Sequence, residues 1–247
     1  MKPGYEDIEA FIRNNFIYQI YRGTGANPLP PLSYSAENLE IMLPKKDVDP
    51  FGRVYDTSYP FKPNWIISFL APWKIPWGIL KCASKGAINF HPAPPTYPGI
   101  GGYNYAIWNE DRGYAVMVHY MDEEIDSGKV IDVKWFDLNE NDTVLTLKNK
   151  AITHLKWLFY DIMARILRGH PIEQIIQHEK WGDYKSRVMF QAFCEINPGS
   201  LFLPMSELDI VGIERKLRST YFKGAKDGPY INVNGIKWRL IPDHDLT

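Results

Sequence analysis

A chain of 247 residues with 45% hydrophobic side chains holds enough apolar material for one sizeable core and a small appendage, which excludes a disordered protein. Its 28 basic and 29 acidic residues leave a net charge of -1, which disfavours a protein built mainly to grip a nucleic-acid backbone. The two cysteines, Cys82 and Cys194, match neither a metal-binding nor a disulfide pattern and read as free thiols of a reducing compartment. The opening MKPGYEDIEA lacks a basic-then-apolar signal, and the most apolar run, WIISFLAPWKIPWGIL, is broken by Lys74 and two prolines. These features predict a cytoplasmic location without membrane insertion.

In chain order, YEDIEAFIRNNFIYQIY reads as a helix leading into a short strand, and GTGANPLPPLSYS as a loop. The glycine pair of that loop lacks the rest of a phosphate-binding pattern and reads as a plain connection. Trp65 to Leu70 is a short continuous apolar run stopped by Pro72, the pattern of a strand buried on both faces. WGILKCASK has the length of a short helix, in which Trp77 reads as a core aromatic. KGAINF, YAVMVHYM and KVIDVKWFDL follow as strands, the last half-exposed because Val130, Asp132, Lys134 and Phe136 alternate with their neighbours. Strands interleaved with helices make the fold class α/β. A long helix comes next, with Asp142 or Thr143 as N-cap, apolar Val144, Leu147, Ala151, Leu155, Leu158, Ile162 and Ile166 on one face, and Gly169 and Pro171 as stops. After about residue 195 the texture changes to short pieces, ending in GPYINVNGIKWRL, a hairpin with Asn-Gly at its turn. This predicts a catalytic domain over 1–195 and a small β-rich subdomain over 196–247.

Chemistry concentrates in INFHPAPPTYPGIGGYNYAIW. Asn89 and His91 occupy alternate positions at a strand end, so both side chains point to the same side and can share one substrate. An amide offers uncharged donors to a developing oxyanion, and an imidazole offers a base or acid near neutral pH. In HYMDEEIDSGKVI, Asp126 closes an acidic turn between two strands, where a carboxylate can reach an imidazole, fix its tautomer and stabilise its protonated form. A hydrogen-bonded Asn–His pair and a solvated acidic turn are the corresponding structural alternatives. No Ser or Cys stands in a nucleophile context, and no metal-ligand spacing is present, so the expected metal set is none.

INFHPAPPTYPG, YNYAIWNED and GYAVMVHYMDEEIDSGKVI together resemble the N10-formyltetrahydrofolate-dependent formyltransferases, over roughly Trp65 to Arg168. Within that family the proline after the His, the YPG ending and the tail LRSTYFKGAKDGPYINVNGIKWRL are most similar to sugar N-formyltransferases acting on nucleotide-linked amino sugars. The resemblance implies a Rossmann-like, mainly parallel sheet flanked by helices, a formyltransferase activity, and N10-formyltetrahydrofolate as cofactor. It makes Asn89, His91 and Asp126 the catalytic trio. It assigns the pterin to Trp73, Lys74 and Ile75 and to the turn of Asp122, Glu123, Glu124 and Ile125. For the substrate, Tyr97, Gly101 and Tyr103 of the proline loop and its following helix are candidates, and near the C-terminus Arg218 is a candidate for the phosphates and Tyr221, Phe222 and Tyr230 for a stack on the base.

The implied partner is a nucleotide-linked amino sugar, expected to be a dTDP-linked amino-dideoxyhexose of surface polysaccharide (O-antigen) synthesis, with a homodimer left open. Two features depart from the family pattern. Pro98-Gly99 stands where many relatives have Arg-Gly, and MKPGYEDIEAF begins nearly inside the first helix, so that either the usual first strand is missing or FIYQIY does a related job. A local excess of cations (Arg215, Lys216, Arg218, Lys223, Lys226, Lys237, Arg239) suits a pyrophosphate, with a solvated basic face as the alternative. Competing functions are another formyltetrahydrofolate enzyme (acting on methionyl-tRNA or glycinamide ribonucleotide, or a hydrolase) and a non-catalytic nucleotide-sugar-binding protein.

Overall fold

The computed structural model describes residues 7–8, 10–11, 63–71, 74–172, 180–197, 210–223 and 227–241, with the backbone of four two-residue strands nearer the N-terminus. Of those strands, β1 (Gly23–Thr24) pairs antiparallel with β2 (Asn27–Pro28), and β3 (Asp47–Val48) with β4 (Val54–Tyr55). FIYQIY, Trp73 and Lys226 lie outside the described residues. The larger sheet has the order β5 (Trp65–Phe69), β6 (Gly86–His91), β7 (Gly113–Tyr120), β8 (Val130–Asp137). Between these strands lie α1 (Trp77–Leu80) and α2 (Gly102–Trp108), and after them the long α3 (Val144–Leu167). No helix among the described residues is long and apolar enough to cross a membrane.

The chain forms two compact units. One comprises residues up to His91, Met117–Asp132 and Lys156–Gln177. In it β5 runs parallel to β6, while β6 lies antiparallel to β7, with Ile88 opposite Tyr120 and His91 opposite Met117. The α/β sheet is therefore mixed: the chain re-enters it beside β6 at the end where it left, which reverses the strand direction. Phe69, Phe90 and Phe159 pack as a triangle with ring centroids 5.1 to 5.8 Å apart. Near the N-terminus Ile8 is fully buried, Phe11 meets Phe159 and Tyr160 edge-on, and Asp7 binds the Lys156 ammonium at 3.0 Å. Each fully buried aromatic or aliphatic side chain contributes about 1.5–3 kcal/mol, so this apolar cluster outweighs the exposed ion pair. Trp77 departs from its expected core role: it is 37% exposed, with the Lys81 ammonium 5.6 Å from its ring centroid. The helix holding it is one turn long and buries Leu80 instead.

The second unit comprises Pro92–Val116, Val133–Leu155 and His178 to the C-terminus. It contains α4 (Arg187–Phe193), α5 (Ile210–Thr220) and a small sheet in the order β11-β10-β9. Here β9 (Glu195–Ile196) is parallel to β10 (Tyr230–Val233), which pairs antiparallel with β11 (Ile236–Arg239). Asn234 and Gly235 join β10 and β11 with φ of 52° and 82°, the double left-handed geometry that Asn-Gly favours in a two-residue hairpin. Helix α2 is tied to α5 by the Asn104 amide donating to the Ser219 carbonyl at 2.6 Å and by an ion pair between Arg215 and Glu110 at 2.9 Å.

Helix α3 buries Val144, Leu147, Ala151, Leu155, Leu158 and Ile162, the face its spacing predicts. Its N-cap is Thr143, whose hydroxyl accepts from the Thr146 N–H at 3.3 Å while the Thr146 hydroxyl accepts from the Thr143 N–H at 2.9 Å. This is a capping box with Thr in place of the usual Glu. Asp142 braces the same turn by accepting from the Asn139 N–H, the Thr146 hydroxyl and the Lys150 ammonium. Burial opposes ionisation of Asp142, but those three donors outweigh it and hold the carboxyl below its ordinary range. Removing the side chain in Asp142→Ala should cost about 1–3 kcal/mol, read as a fall in the urea midpoint. Because the folded pKa is lowered, the stabilisation is complete above the unfolded carboxyl's value of about 3.9 and is lost as pH falls through the folded one. The difference between wild type and Asp142→Asn in urea midpoint should therefore shrink between pH 5 and pH 2.

Candidate active site

Asn89 and His91 project from the end of β6, two residues apart, where the antiparallel register sets Asn89 directly opposite His119 of β7. The His119 Nδ1 lies 2.7 Å from the Tyr120 carbonyl oxygen. A carbonyl only accepts, so Nδ1 carries the proton and Nε2 presents its lone pair. The Asn89 amide donates to that Nε2 at 3.1 Å, which fixes the orientation of the amide and leaves its second N–H without a bond to a described residue.

Asp126 comes from the turn joining β7 to β8. Its backbone is left-handed, with φ of 51°, a conformation Asp tolerates better than most residues. Its side chain is 8% exposed and stands between two imidazoles: Oδ2 is 3.6 Å from His91 Nδ1 and Oδ1 is 3.6 Å from His119 Nε2. These separations exceed a hydrogen bond but set a buried carboxylate beside both rings. The two rings lie edge to face, 6.2 Å apart.

The turn is pinned at both ends. Met121 N–H donates to the Ala87 carbonyl and Tyr120 N–H to the Lys129 carbonyl, each at 2.8 Å. Inside it, Glu123 N–H donates to the Asp122 carboxylate at 2.7 Å and the Ser127 hydroxyl to the Glu124 carbonyl at 3.0 Å. At Gly128 a Cβ would collide with the Tyr120 carbonyl oxygen, so only glycine closes the turn at this spacing after Asp126.

The structure thus gathers Asn89, His91 and Asp126 in one unit and adds His119, which sequence reasoning passed over. The only local signal for it was a lone imidazole inside the apolar run YAVMVHYM. Asp122, Glu123 and Glu124 are exposed, Ile125 is 42% exposed, Lys74 is exposed and Ile75 half-buried.

In the other unit several expected ligand contacts are spent on the protein itself. The Tyr97 hydroxyl donates to Asp111 and accepts from Asn109, and burial together with that carboxylate pushes its pKa well up. Gly101, with φ of 89°, turns the chain where a Cβ would meet the Phe190 ring at 2.5 Å, so the close approach it permits is to α4. The Tyr103 ring packs 5.7 Å from Tyr114. Arg218 donates to the carbonyls of Glu140 and Asp142, bracing the chain ahead of α3. Lys216 donates to the Phe193 carbonyl at 2.7 Å and lies over the rings of Trp108 and Phe193. Burial lowers its pKa. With Arg215 paired to Glu110, the cations of α5 hold helices together instead of forming an open basic face. Tyr221 and Phe222 are half-buried, and the Lys148 ammonium stands 5.1 Å from the Phe222 ring. Among the described residues no cluster of three or more His, Cys, Asp or Glu forms a metal site.

The mixed four-stranded sheet thus ends β6 on Asn-x-His and brings the Asp126 carboxylate beside it from the turn between β7 and β8. Residues 67–162 match the formyl transferase family. The chain is 29% identical over 118 residues, 47% of its length, to GDP-perosamine N-formyltransferase of Brucella melitensis. It is 27% identical over 141 residues, 57% of its length, to methionyl-tRNA formyltransferase of Macrococcus caseolyticus. In each comparison the chain spans about half the relative, 46%. The fold is shared with a sugar N-formyltransferase from a Shewanella species, at a TM-score of 0.58 and 21% identity over 72% of this chain and 68% of that one.

Proposed function

We propose that this chain transfers a formyl group from N10-formyltetrahydrofolate to the amine of a nucleotide-linked amino sugar. The observation that carries the reading is the buried Asp126 standing 3.6 Å from His91, beside an Asn89 amide whose orientation His119 fixes. The turn from Asp122 to Ile125 fits the folate, since its exposed segment offers backbone groups to the edge of a planar heterocycle. Bound there, N10-formyltetrahydrofolate supplies the formyl carbon.

The remaining chemistry belongs to the chain. Asn89 donates its second N–H to the carbonyl oxygen as charge develops on it. His91 takes the proton released by the attacking amine and returns it to the departing nitrogen, so no net proton is gained or lost. Asp126 stabilises the imidazolium between those two transfers.

The amino sugar is proposed as a dTDP-linked 3- or 4-amino-dideoxyhexose of surface polysaccharide synthesis. The name of the Brucella relative supports a nucleotide-linked amino sugar and makes a GDP-linked one the first alternative to test. Tyr221 and Phe222 are proposed to face the base, and the C-terminal piece from 196 onward to carry the nucleotide contacts.

The test is to incubate the protein with formyltetrahydrofolate and dTDP- and GDP-linked amino sugars, the free amino sugar, methionyl-tRNA and glycinamide ribonucleotide, detecting formyl gain by mass. One nucleotide-linked sugar should react, and the free sugar should turn over orders of magnitude more slowly, because remote binding energy positions the reacting centre. Efficient formylation of methionyl-tRNA or glycinamide ribonucleotide, or equal kcat with the free sugar, would overturn this reading.

A further inference from the structure

The loop after His91 cannot hold its shape by its own backbone bonds. Residues 92–98 read PAPPTYP, and four prolines in seven residues leave the stretch rich in carbonyl acceptors and poor in N–H donors. Pro94, Pro95 and Pro98 are nonetheless buried, so donors have to arrive from other parts of the chain. Within the loop the Tyr97 N–H donates to the Pro94 carbonyl at 3.0 Å, and at its start the hydroxyl of fully buried Tyr114 donates to the Pro92 carbonyl at 3.1 Å.

The remaining donors come from residues 182–185. The Gly182 N–H donates to the Pro95 carbonyl at 2.9 Å and the Lys185 N–H to the Pro98 carbonyl at 3.0 Å, while the Lys185 carbonyl accepts from the Ile100 N–H at 2.8 Å. Gly99 and Lys185 thereby pair as a parallel bridge. The segment lies along the loop as an outer strand, with Gly182, Asp183 and Tyr184 exposed, and Ser186 ties its end to α4 by accepting from the Met189 N–H at 3.3 Å. Both backbones are in close contact. A Cβ on Gly182 would collide with the Thr96 carbonyl oxygen, and one on Gly99, where φ is 89°, with the Lys185 carbonyl oxygen.

We propose, on the formyl-transfer reading above, that residues 182–185 are a positioning segment for the amine substrate: they supply the donors that the proline loop lacks and fix the loop as a wall. The loop begins at the residue after His91, so an amine close enough to hand its proton to His91 also meets the start of that wall. The turn proposed for the folate is anchored separately, through Met121 to Ala87 and Tyr120 to Lys129, outside both the loop and the segment. Loosening residues 182–185 therefore acts on the amine substrate and spares the formyl donor.

The test compares variants of the full chain by steady-state kinetics and amide hydrogen exchange. Gly182→Ala forces the segment off the loop, and Lys185→Pro removes the donor to Pro98; the latter is measured against Lys185→Ala, which lacks the same side chain but keeps the N–H. In Gly182→Ala and Lys185→Pro the Ile100 amide should exchange at least about tenfold faster, with Met121 at its wild-type rate. Their kcat/KM for the nucleotide-linked amino sugar should fall at least about tenfold, while KM for formyltetrahydrofolate stays within about twofold and the pH–rate profile keeps its shape. Asp142→Ala, which destabilises the same unit elsewhere, should leave these kinetic values unchanged, so that a loss of stability is told apart from a loss of position. An unchanged Ile100 amide in both loop variants, a loosened loop with wild-type kcat/KM, or an equal rise in KM for formyltetrahydrofolate would overturn the proposal and leave the formyl-transfer reading standing. A wild-type protein that formylates no nucleotide-linked amino sugar would overturn that reading, and this role with it.

Discussion

Alanine at His91 should lower kcat by about 10²–10⁴ and alanine at Asn89 by about 10²–10³, with both proteins folded as judged by urea midpoint. The two losses have different origins. His91 handles the proton that must leave the attacking amine, so its loss should also flatten the acid limb of the pH–rate profile. Asn89 contributes a donor aimed at developing charge, so its loss should appear in kcat without a change in the shape of that profile. The wiring of the site adds a second arm to the experiment. The Asn89 orientation depends on accepting geometry at His119 Nε2, 3.1 Å away, and His119 is itself fixed by the Tyr120 carbonyl. A His119→Phe variant keeps the ring volume but removes the acceptor, and it should reproduce a large part of the Asn89→Ala loss while leaving the proton-transfer limb in place. Full activity in His91→Ala, or in both Asn89→Ala and His119→Phe, would remove the trio from the chemistry and return Asn89 and His91 to a structural role.

How far the sequence exposes this site depends on whether each contact is local. Asn89 and His91 are legible because a period of two at the end of an apolar strand puts both on one side whatever the strand pairs with. Asp126 is legible because the turn it sits in is short and punctuated by glycine. His119 is hidden, because its meaning lies in the register that sets it opposite Asn89, 30 residues away, and no local pattern encodes register.

The strands and the long helix could be read from periodicity, and Thr143 could be told from Asp142 as cap only through the reciprocal bonds to Thr146. The cations of α5 misled for a similar reason. A cluster of Arg and Lys in sequence suggests an open basic face, but Arg215, Lys216 and Arg218 each find partners far along the chain, at Glu110, Phe193 and the Glu140–Asp142 carbonyls. Trp77 was misplaced because an aromatic in an apolar run is usually core, while a single helical turn can bury only one side, here that of Leu80.

Among the described glycines, Gly128→Ala should be the most damaging substitution. The added Cβ would collide with the Tyr120 carbonyl oxygen and come 2.8 Å from its carbon, and both are backbone atoms that no rotamer change can move aside. Tyr120 cannot yield easily either. Its N–H is bound to the Lys129 carbonyl on the far side of the turn, and its carbonyl accepts from His119 Nδ1. Relief therefore requires opening the hairpin between β7 and β8, and the expected cost is about 2–5 kcal/mol, read as a lower urea midpoint and melting temperature.

The same opening would carry Asp126 away from His91 and loosen His119, so kcat per folded molecule should fall by at least about tenfold as well, since small displacements of positioned groups are costly. Ser127→Ala is the control one residue away: it removes an exposed hydroxyl's bond to the Glu124 carbonyl and should cost under about 1 kcal/mol. A Gly128→Ala protein of wild-type stability would show that the turn has slack that its backbone geometry denies. One that is destabilised yet retains full kcat in its folded fraction would show that the placement of Asp126 does not govern the reaction.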